Sequence, residues 1–215
     1  MLTTAQALAQ FAADYSKTIA DETGFLPQVS YDSEWSSPCE VGKPTEAGNI
    51  QWRYVSREQE YHFENIEHAL EMTLHHDVIA YYGSGYSGPM FVTADGEQIE
   101  LLQVWNEDDL TRLCENLIGH LLMQRKLKQS PSVFIGCVVN SESMLSIDNN
   151  SGEVIIEVAG NKERRVVASS LTQFFESAQI LVNPDNESDY QAPKEIKAGL
   201  MPRLKEVMKS LLGKH

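Results

Sequence analysis

One segment constrains this chain more than any other. From Leu110, apolar residues recur at Leu113, Cys114, Leu117, Ile118, Leu121 and Leu122, the spacing of a long helix buried along one stripe. Asn106 supplies a cap, and Asp109 at N3 approximates a capping box. The acids at 107–109 face the positive end of the helix dipole, and Arg125, Lys126 and Lys128 complement its carboxyl end. A stripe of this length needs a sheet to cover it, and strand-like runs flank it on both sides. They lie at Val78 to Tyr82, Met90 to Thr93 and Gln98 to Val104 before it, and at Val133 to Val139, Met144 to Ile147, Val154 to Val158 and Arg164 to Val167 after it. Asp95-Gly96 and Asn149-Asn150-Ser151-Gly152 read as turns between strands. The pattern predicts an α+β fold with a mostly antiparallel or mixed sheet packed with helices.

The remaining elements follow the same logic. Thr3 or Thr4 caps a first helix burying Ala7, Leu8, Phe11, Tyr15 and Ile19, ending near Gly24. Residues 25–60 are irregular, with short strand candidates around Ile50 to Val55. A second helix is expected from Tyr61 to Leu74, and a last short one from Ser169 or Ser170 through Leu171, Phe174 and Phe175. Residues 1–181 form the expected domain and 182–193 an acidic linker. Residues 194–215 form a basic amphipathic helix with Leu204, Val207, Met208, Leu211 and Leu212 on one face.

Charge narrows the function. The net of −14 excludes nucleic acid as a main partner, because phosphate contacts need basic surface. From Glu58 to Thr111 there are twelve acids and no Lys or Arg. The tail from Lys194 carries six Lys/Arg against two Glu, net +4, leaving −18 for the first 193 residues. An acidic surface of this kind favours a basic partner. Glu60, Glu64, Glu67 and Glu71 would share a face of the second helix, with Glu107, Asp108 and Asp109 beside them as a docking surface. Trp52 and Trp105, with Trp35 and Tyr54, are the nominated aromatic anchors.

Enzymatic motifs are weak. Gly83-Ser84-Gly85-Tyr86-Ser87-Gly88 matches GxGxxG, but Pro89 and a strand-like run follow where a phosphate-binding helix must open. It reads as a glycine-rich connection. His68, His75 and Asp77, with His76 and Glu71 nearby, are the one metal-ligand candidate and would suit a small metal-dependent hydrolase. No HExxH accompanies them, so no cofactor or metal is expected. Asp148 to Gly152 departs from a calcium loop, and Cys39 has no assignable base. Cys39, Cys114 and Cys137 are odd in number and scattered, which fits a reducing compartment. No apolar run approaches the ~20 residues of a membrane span, and Met1 to Ala5 show no secretory leader.

Leu101-Leu102-Gln103-Val104-Trp105-Asn106-Glu107-Asp108-Asp109, Glu115-Asn116-Leu117-Ile118-Gly119-His120-Leu121 and Gln124 to Lys128 resemble the Syd family, SecY-interacting proteins of bacteria. Ser37-Pro38-Cys39 and Asn150 to Val154 resemble it too. The resemblance covers roughly residues 1–180, with the basic tail beyond the family's usual end. It implies a SUKH-like α+β fold with a concave, negatively charged groove, while the missing catalytic motifs favour a binder over an enzyme. It also implies binding to cytoplasmic loops of SecY, a peripheral place on the inner face of the inner membrane, and monitoring or negative control of translocase assembly. Such loops are rich in Lys and Arg, so the charge pattern agrees. An immunity-type acidic binder of the SUKH group is the alternative within the same fold.

Overall fold

In the computed structural model, residues 2–184 are described; the basic tail and most of the acidic linker lie outside them. The first helix, α1 (Thr4–Thr23), begins at a capping box between Thr3 and Gln6 and ends at Gly24, whose φ of 81° closes the last turn. Short strands follow: β1 (Gln28–Ser30), β2 (Glu40–Val41), β3 (Asn49–Trp52) and β4 (Val55–Ser56). Two short helices come next, α2 (Glu64–Leu70) and α3 (His76–Gly83), then β5 (Gly85–Tyr86). The hairpin β6 (Met90–Ala94) and β7 (Glu97–Leu101) leads into α4 (Glu107–Lys126). After it run β8 (Ser132–Val138), β9 (Ser143–Asp148), β10 (Val154–Val158), β11 (Arg164–Ala168), α5 (Leu171–Ser177) and β12 (Gln179–Ile180).

The main sheet has seven strands in the order β11-β10-β9-β8-β7-β6-β12, all pairs antiparallel. Its hairpin turn at Asp95-Gly96 uses two residues with φ near 50° and 79°, the backbone that a two-residue connection requires. The sheet is strongly curled. Arg165 on β11 reaches Asp95 and Glu97 at the β6–β7 turn, and α5 carries the chain from the β11 edge to the β6 edge, where β12 pairs. A smaller sheet orders β1-β3-β2, and β4 pairs with β5.

One apolar cluster runs from α1 to α5. Leu110, Leu113, Leu117 and Leu121 of α4 are all buried, as the stripe requires. Each contributes about 1.5–3 kcal/mol relative to exposure. Phe11 of α1 stacks on Phe175 of α5 at 5.0 Å, fixing the helix that covers the curled sheet's closing edge.

Two expectations are corrected. Val78 to Tyr82 is helix α3, not strand. Val78, Tyr81 and Tyr82 are fully buried at i, i+3 and i+4, and their β-branched and aromatic composition hid that period. Both hydroxyls find carbonyls on β8, where a bulge between Phe134 and Gly136 breaks the ladder: Tyr81 donates to Ile135 at 3.0 Å and Tyr82 to Phe134 at 2.8 Å. The expected helix from Tyr61 to Leu74 contracts to α2, bounded by Phe63 and Glu71 in the left-handed region at φ 56° and 49°.

Candidate docking surface

The contraction of α2 rearranges the acids. Glu60 lies before the helix, beside the His62 imidazole at 3.9 Å, and Glu71 forms its left-handed cap. Glu64 stays exposed on the first turn. Glu67 is half-buried and accepts the Leu74 N–H at 2.8 Å, so its carboxylate fastens the segment that follows α2. The four acids therefore do not stand on one continuous helix face.

At the start of α4 the three acids separate by role. Asp109 is fully buried and accepts the Trp105 N–H at 3.0 Å, one residue earlier than a capping box would reach, while Asn106 accepts the Asp109 N–H at 2.9 Å. Asp108 is exposed. Glu107 is exposed yet engaged: it accepts from Arg57 at 2.8 Å and from the Tyr86 hydroxyl. Partial burial acts to raise its pKa, but the hydrogen bonds from Tyr86 and Arg57 outweigh it and hold the carboxyl below its ordinary value. Burial, with the neighbouring carboxylate, pushes Tyr86 up to about 12.

The aromatic anchors are corrected. Trp52 and Trp105 are 1% and 4% exposed, so neither offers a face to a partner. Trp52 packs near Tyr15 inside the core, and the Trp105 indole donates to the Trp35 carbonyl at 2.8 Å. Trp35 is buried too, with the Arg112 guanidinium 4.0 Å above its ring, and Tyr54 is half-buried against Ser84. A large aromatic in an irregular stretch looks like a surface anchor in sequence; here these residues hold the irregular stretch onto the sheet.

Two cations that sequence distance hides stand next to the acids. Arg57 lies 4.1 Å over the Tyr86 ring with its side chain only 9% exposed, and Arg125 of α4 donates to the Leu70 carbonyl at the end of α2. No sequence signal marks either one: Arg57 merely precedes the cation-free run, and Arg125 resembles any helix-end base. Both are committed to the framework, which leaves Glu58, Glu60, Glu64, Glu71 and Asp108 as exposed carboxylates of that region.

Of the histidines, His75 caps a helix. His75, His76 and Asp77 place potential ligand atoms within 4.8 Å of one another, while His68 stands exposed on α2 outside that group. His75 Nδ1 already accepts the Asp77 N–H at 3.2 Å as the cap of α3, and Thr4 donates to the Asp77 carboxylate. A metal held through His75 Nδ1 would displace that cap. The glycine-rich motif is likewise filled. A Cβ at Gly83 would stand 2.2 Å from the Tyr61 carbonyl, and those at Gly85 and Gly88 would collide with the Tyr54 and Trp52 rings. These glycines admit neighbouring residues of the fold, with no room left for a phosphate. His120 is 3% exposed, so burial lowers its pKa despite Glu157 nearby, and it lies among Gln124, Ser132, Glu157 and Arg164 where α4 meets the sheet.

With this geometry in place, similarity to known proteins decides the family. The family model described as Syd protein (SUKH-2) matches residues 5–179, nearly every element described above. The chain belongs to the Syd family. It is 36% identical over 211 residues to Protein Syd of Shewanella frigidimarina, covering 97% of each chain. To Protein Syd of Aliivibrio salmonicida it is 37% identical over 183 residues, 84% of this chain and 98% of that one. Protein Syd of Colwellia psychrerythraea is 36% identical over 181 residues. The Shewanella alignment runs past residue 179 into the tail, whereas the family model stops there. Among the described residues, no helix is long and apolar enough to cross a membrane.

Proposed function

We propose that this Syd protein is a non-catalytic adaptor that binds SecY. The Lys/Arg-rich cytoplasmic loops of SecY dock on the acidic face formed by the approach to α2, α2 itself and the first turn of α4. The observation that supports this most is the exposed set Glu58, Glu60, Glu64, Glu71 and Asp108 in a protein of the Syd family. Nearby cations do not neutralise the set, because Arg57 is spent on Glu107 and the Tyr86 ring. Glu107 forms the rim; Glu67, which accepts the Leu74 N–H, and Asp109, which accepts the Trp105 N–H, hold the backbone behind the face.

Exposed carboxylates set the association rate and choice of partner more than the bound lifetime. On this reading the protein sits peripherally at the cytoplasmic side of the inner membrane through SecY and acts as a brake or monitor on translocase assembly. Docking this dependent on surface charge weakens as the screening length falls from about 8 Å at physiological salt to about 3 Å at 1 M.

The test is capture of detergent-solubilised SecY complex at low and high salt by wild type and by a Glu64→Lys/Asp108→Lys variant. The reading expects capture that fades with salt and is absent in the variant. Undiminished capture by the variant at both salts would remove the acidic face from the interface, and no capture by wild type would remove SecY.

A further inference from the structure

The junction between α2 and α3 gathers groups that the docking surface does not use. Asp77 is a buried carboxylate, its side chain 5% exposed, and among the described residues no Lys or Arg pairs with it. Its basic neighbours are two imidazoles: His76 Nε2 stands 3.4 Å from Oδ1, and His75 Nδ1 stands 3.9 Å from Oδ2. A buried carboxylate ordinarily keeps a permanent cation beside it, and the stretch from Glu58 to Thr111 contains no Lys or Arg to supply one.

Two of the three side chains are fixed. Thr4 of α1 donates to the Asp77 carboxylate, the His75 N–H donates to the Asn149 side chain at 2.9 Å, and Asn149 donates to the Thr73 carbonyl at 2.8 Å. The His75 ring lies against Gly152, where a Cβ would collide with it. His76 is the adjustable member, with its side chain 80% exposed. One ligand atom from each residue lies within 4.8 Å of the others. Donors about 2.0–2.2 Å from a tetrahedral ion stand roughly 3.2–3.6 Å apart, so small rotations of His76 and of the carboxylate close the set.

We propose that His75 Nδ1, His76 Nε2 and the Asp77 carboxylate bind a divalent transition-metal ion of the zinc class, with water in the fourth position. Two imidazoles and one carboxylate suit zinc, whereas calcium and magnesium take oxygen donors. Burial lowers the His75 pKa, which favours the neutral ring that a metal needs. Binding exchanges the cap of α3, because Nδ1 gives up the Asp77 N–H to take the ion. The positive end of α3 opposes a cation, so the carboxylate is indispensable. Through Thr4 and Asn149 the ion ties the starts of α1 and α3 to the β9–β10 turn. Of the residues that sequence puts forward as ligands, His75 and Asp77 remain, and His76 takes the place of His68, which lies exposed on α2.

The probe is ZnCl2, titrated by calorimetry into the full chain without an affinity tag and stripped by a chelator. Imidazole NMR signals are followed alongside. One equivalent binds, and the signals of His75 and His76 shift while those of His62 and His68 stay in place. His76→Ala, at an exposed position, weakens binding at least about tenfold. Asp77→Asn keeps an oxygen for Thr4, His75→Asn keeps an acceptor for the cap, and each weakens zinc by a similar factor. His68→Ala leaves the affinity unchanged. Full-strength binding by His76→Ala or Asp77→Asn, an equal loss in His68→Ala, or no stoichiometric uptake by wild type would each overturn the proposal and leave an adventitious ion only. None of these readouts involves SecY capture, so either proposal can fail alone.

Discussion

Replacing Glu107 by Ala should cost more than replacing its partner Arg57 by Met, and combining the two should restore stability. Arg57 is the buried member: its side chain is 9% exposed, its guanidinium lies 4.1 Å from the Tyr86 ring centre, and Nη1 donates to Glu107 at 2.8 Å. Glu107 is 67% exposed. Glu107→Ala strands a cation under the tyrosine and takes away the Tyr86 hydroxyl's acceptor. An exposed pair is worth about 0–1 kcal/mol, while breaking a buried one costs about 3–5. With one partner on each side of the surface, about 2 kcal/mol is expected, a fall of roughly 4–8 °C in Tm. Arg57→Met keeps an apolar stem on the ring, forfeits a cation–π contact of roughly 1 kcal/mol, and leaves an exposed carboxylate that water solvates. The double variant has no stranded charge and should sit near the Arg57→Met single. Urea unfolding followed by tryptophan fluorescence reads all four proteins. Because the Glu107 carboxyl is depressed in the folded state, its stabilisation is present above the unfolded carboxylate pKa and fades as pH falls through the folded one. The gap between wild type and Glu107→Ala should therefore narrow in acid. A double variant less stable than either single would refute the reasoning.

Three further outcomes follow from buried groups. Burial, only partly offset by its hydrogen bond to Ser37, pushes the Cys39 thiol up to about 12. Cys39, Cys114 and Cys137 are all buried, so folded protein should react slowly with a disulfide reagent at pH 8 and release three equivalents once unfolded in urea. His120 and His75 both have their pKa lowered by burial, so each takes up a proton less readily in the fold than in the unfolded chain. The unfolded chain then binds more protons below the ordinary value of 6.5, and stability falls as pH drops from 7 toward 5.5. The His120 share is at most about 1.4 kcal/mol per pH unit. His120→Gln should flatten the slope, and an unchanged slope would assign it elsewhere. Gly152 has φ 77°, and a Cβ there would stand 2.4 Å from His75 Cε1, the ring that caps α3. Gly152→Ala should cost about 2 kcal/mol, seen as a lower Tm; an unchanged Tm would show that the ring moves aside freely.

The parts legible in sequence are those where one local signal suffices. The stripe and cap of α4, the Thr3 cap and Gly24 stop of α1, and the turn at Asp95-Gly96 all stand where their residues place them. Helix α3 was not legible because it is short and its buried residues, Val78, Tyr81 and Tyr82, are of the β-branched and aromatic types that favour strands, which masks the helical period. The acidic region was legible in sign and not in detail. Charge along the chain marks the region, but whether a carboxylate faces water or a backbone N–H depends on contacts across the fold. Asp109 turns inward to Trp105 and Asp108 does not, and nothing in three consecutive acids says which. Arg57 joins Glu107 across fifty positions of sequence, a distance over which no pattern rule reaches.

The break in the helix around α2 also bears on what the acidic face can report. Four carboxylates stacked at 4, 3 and 4 spacing on one helix would repel one another by a few tenths of a kcal/mol per pair. Ending the helix at Phe63 and Glu71, both left-handed, moves Glu60 and Glu71 off that stack. Each left-handed residue costs about 1–2 kcal/mol, and at Phe63 the burial of a ring 1% exposed, edge-on to Tyr61 at 4.8 Å, offsets about that much. Glu67 is then free to turn inward and hold Leu74. The exposed acids are thus left with little mutual strain for a basic partner to relieve, and the gain on docking comes from the partner's charges themselves. It follows that Glu64→Lys and Asp108→Lys should cost only the reversal of a first-turn charge on α2 and on α4, about 1 kcal/mol each in urea unfolding. Loss of capture in that variant would then report on the interface, whereas a large stability change would show that these side chains hold the fold as well.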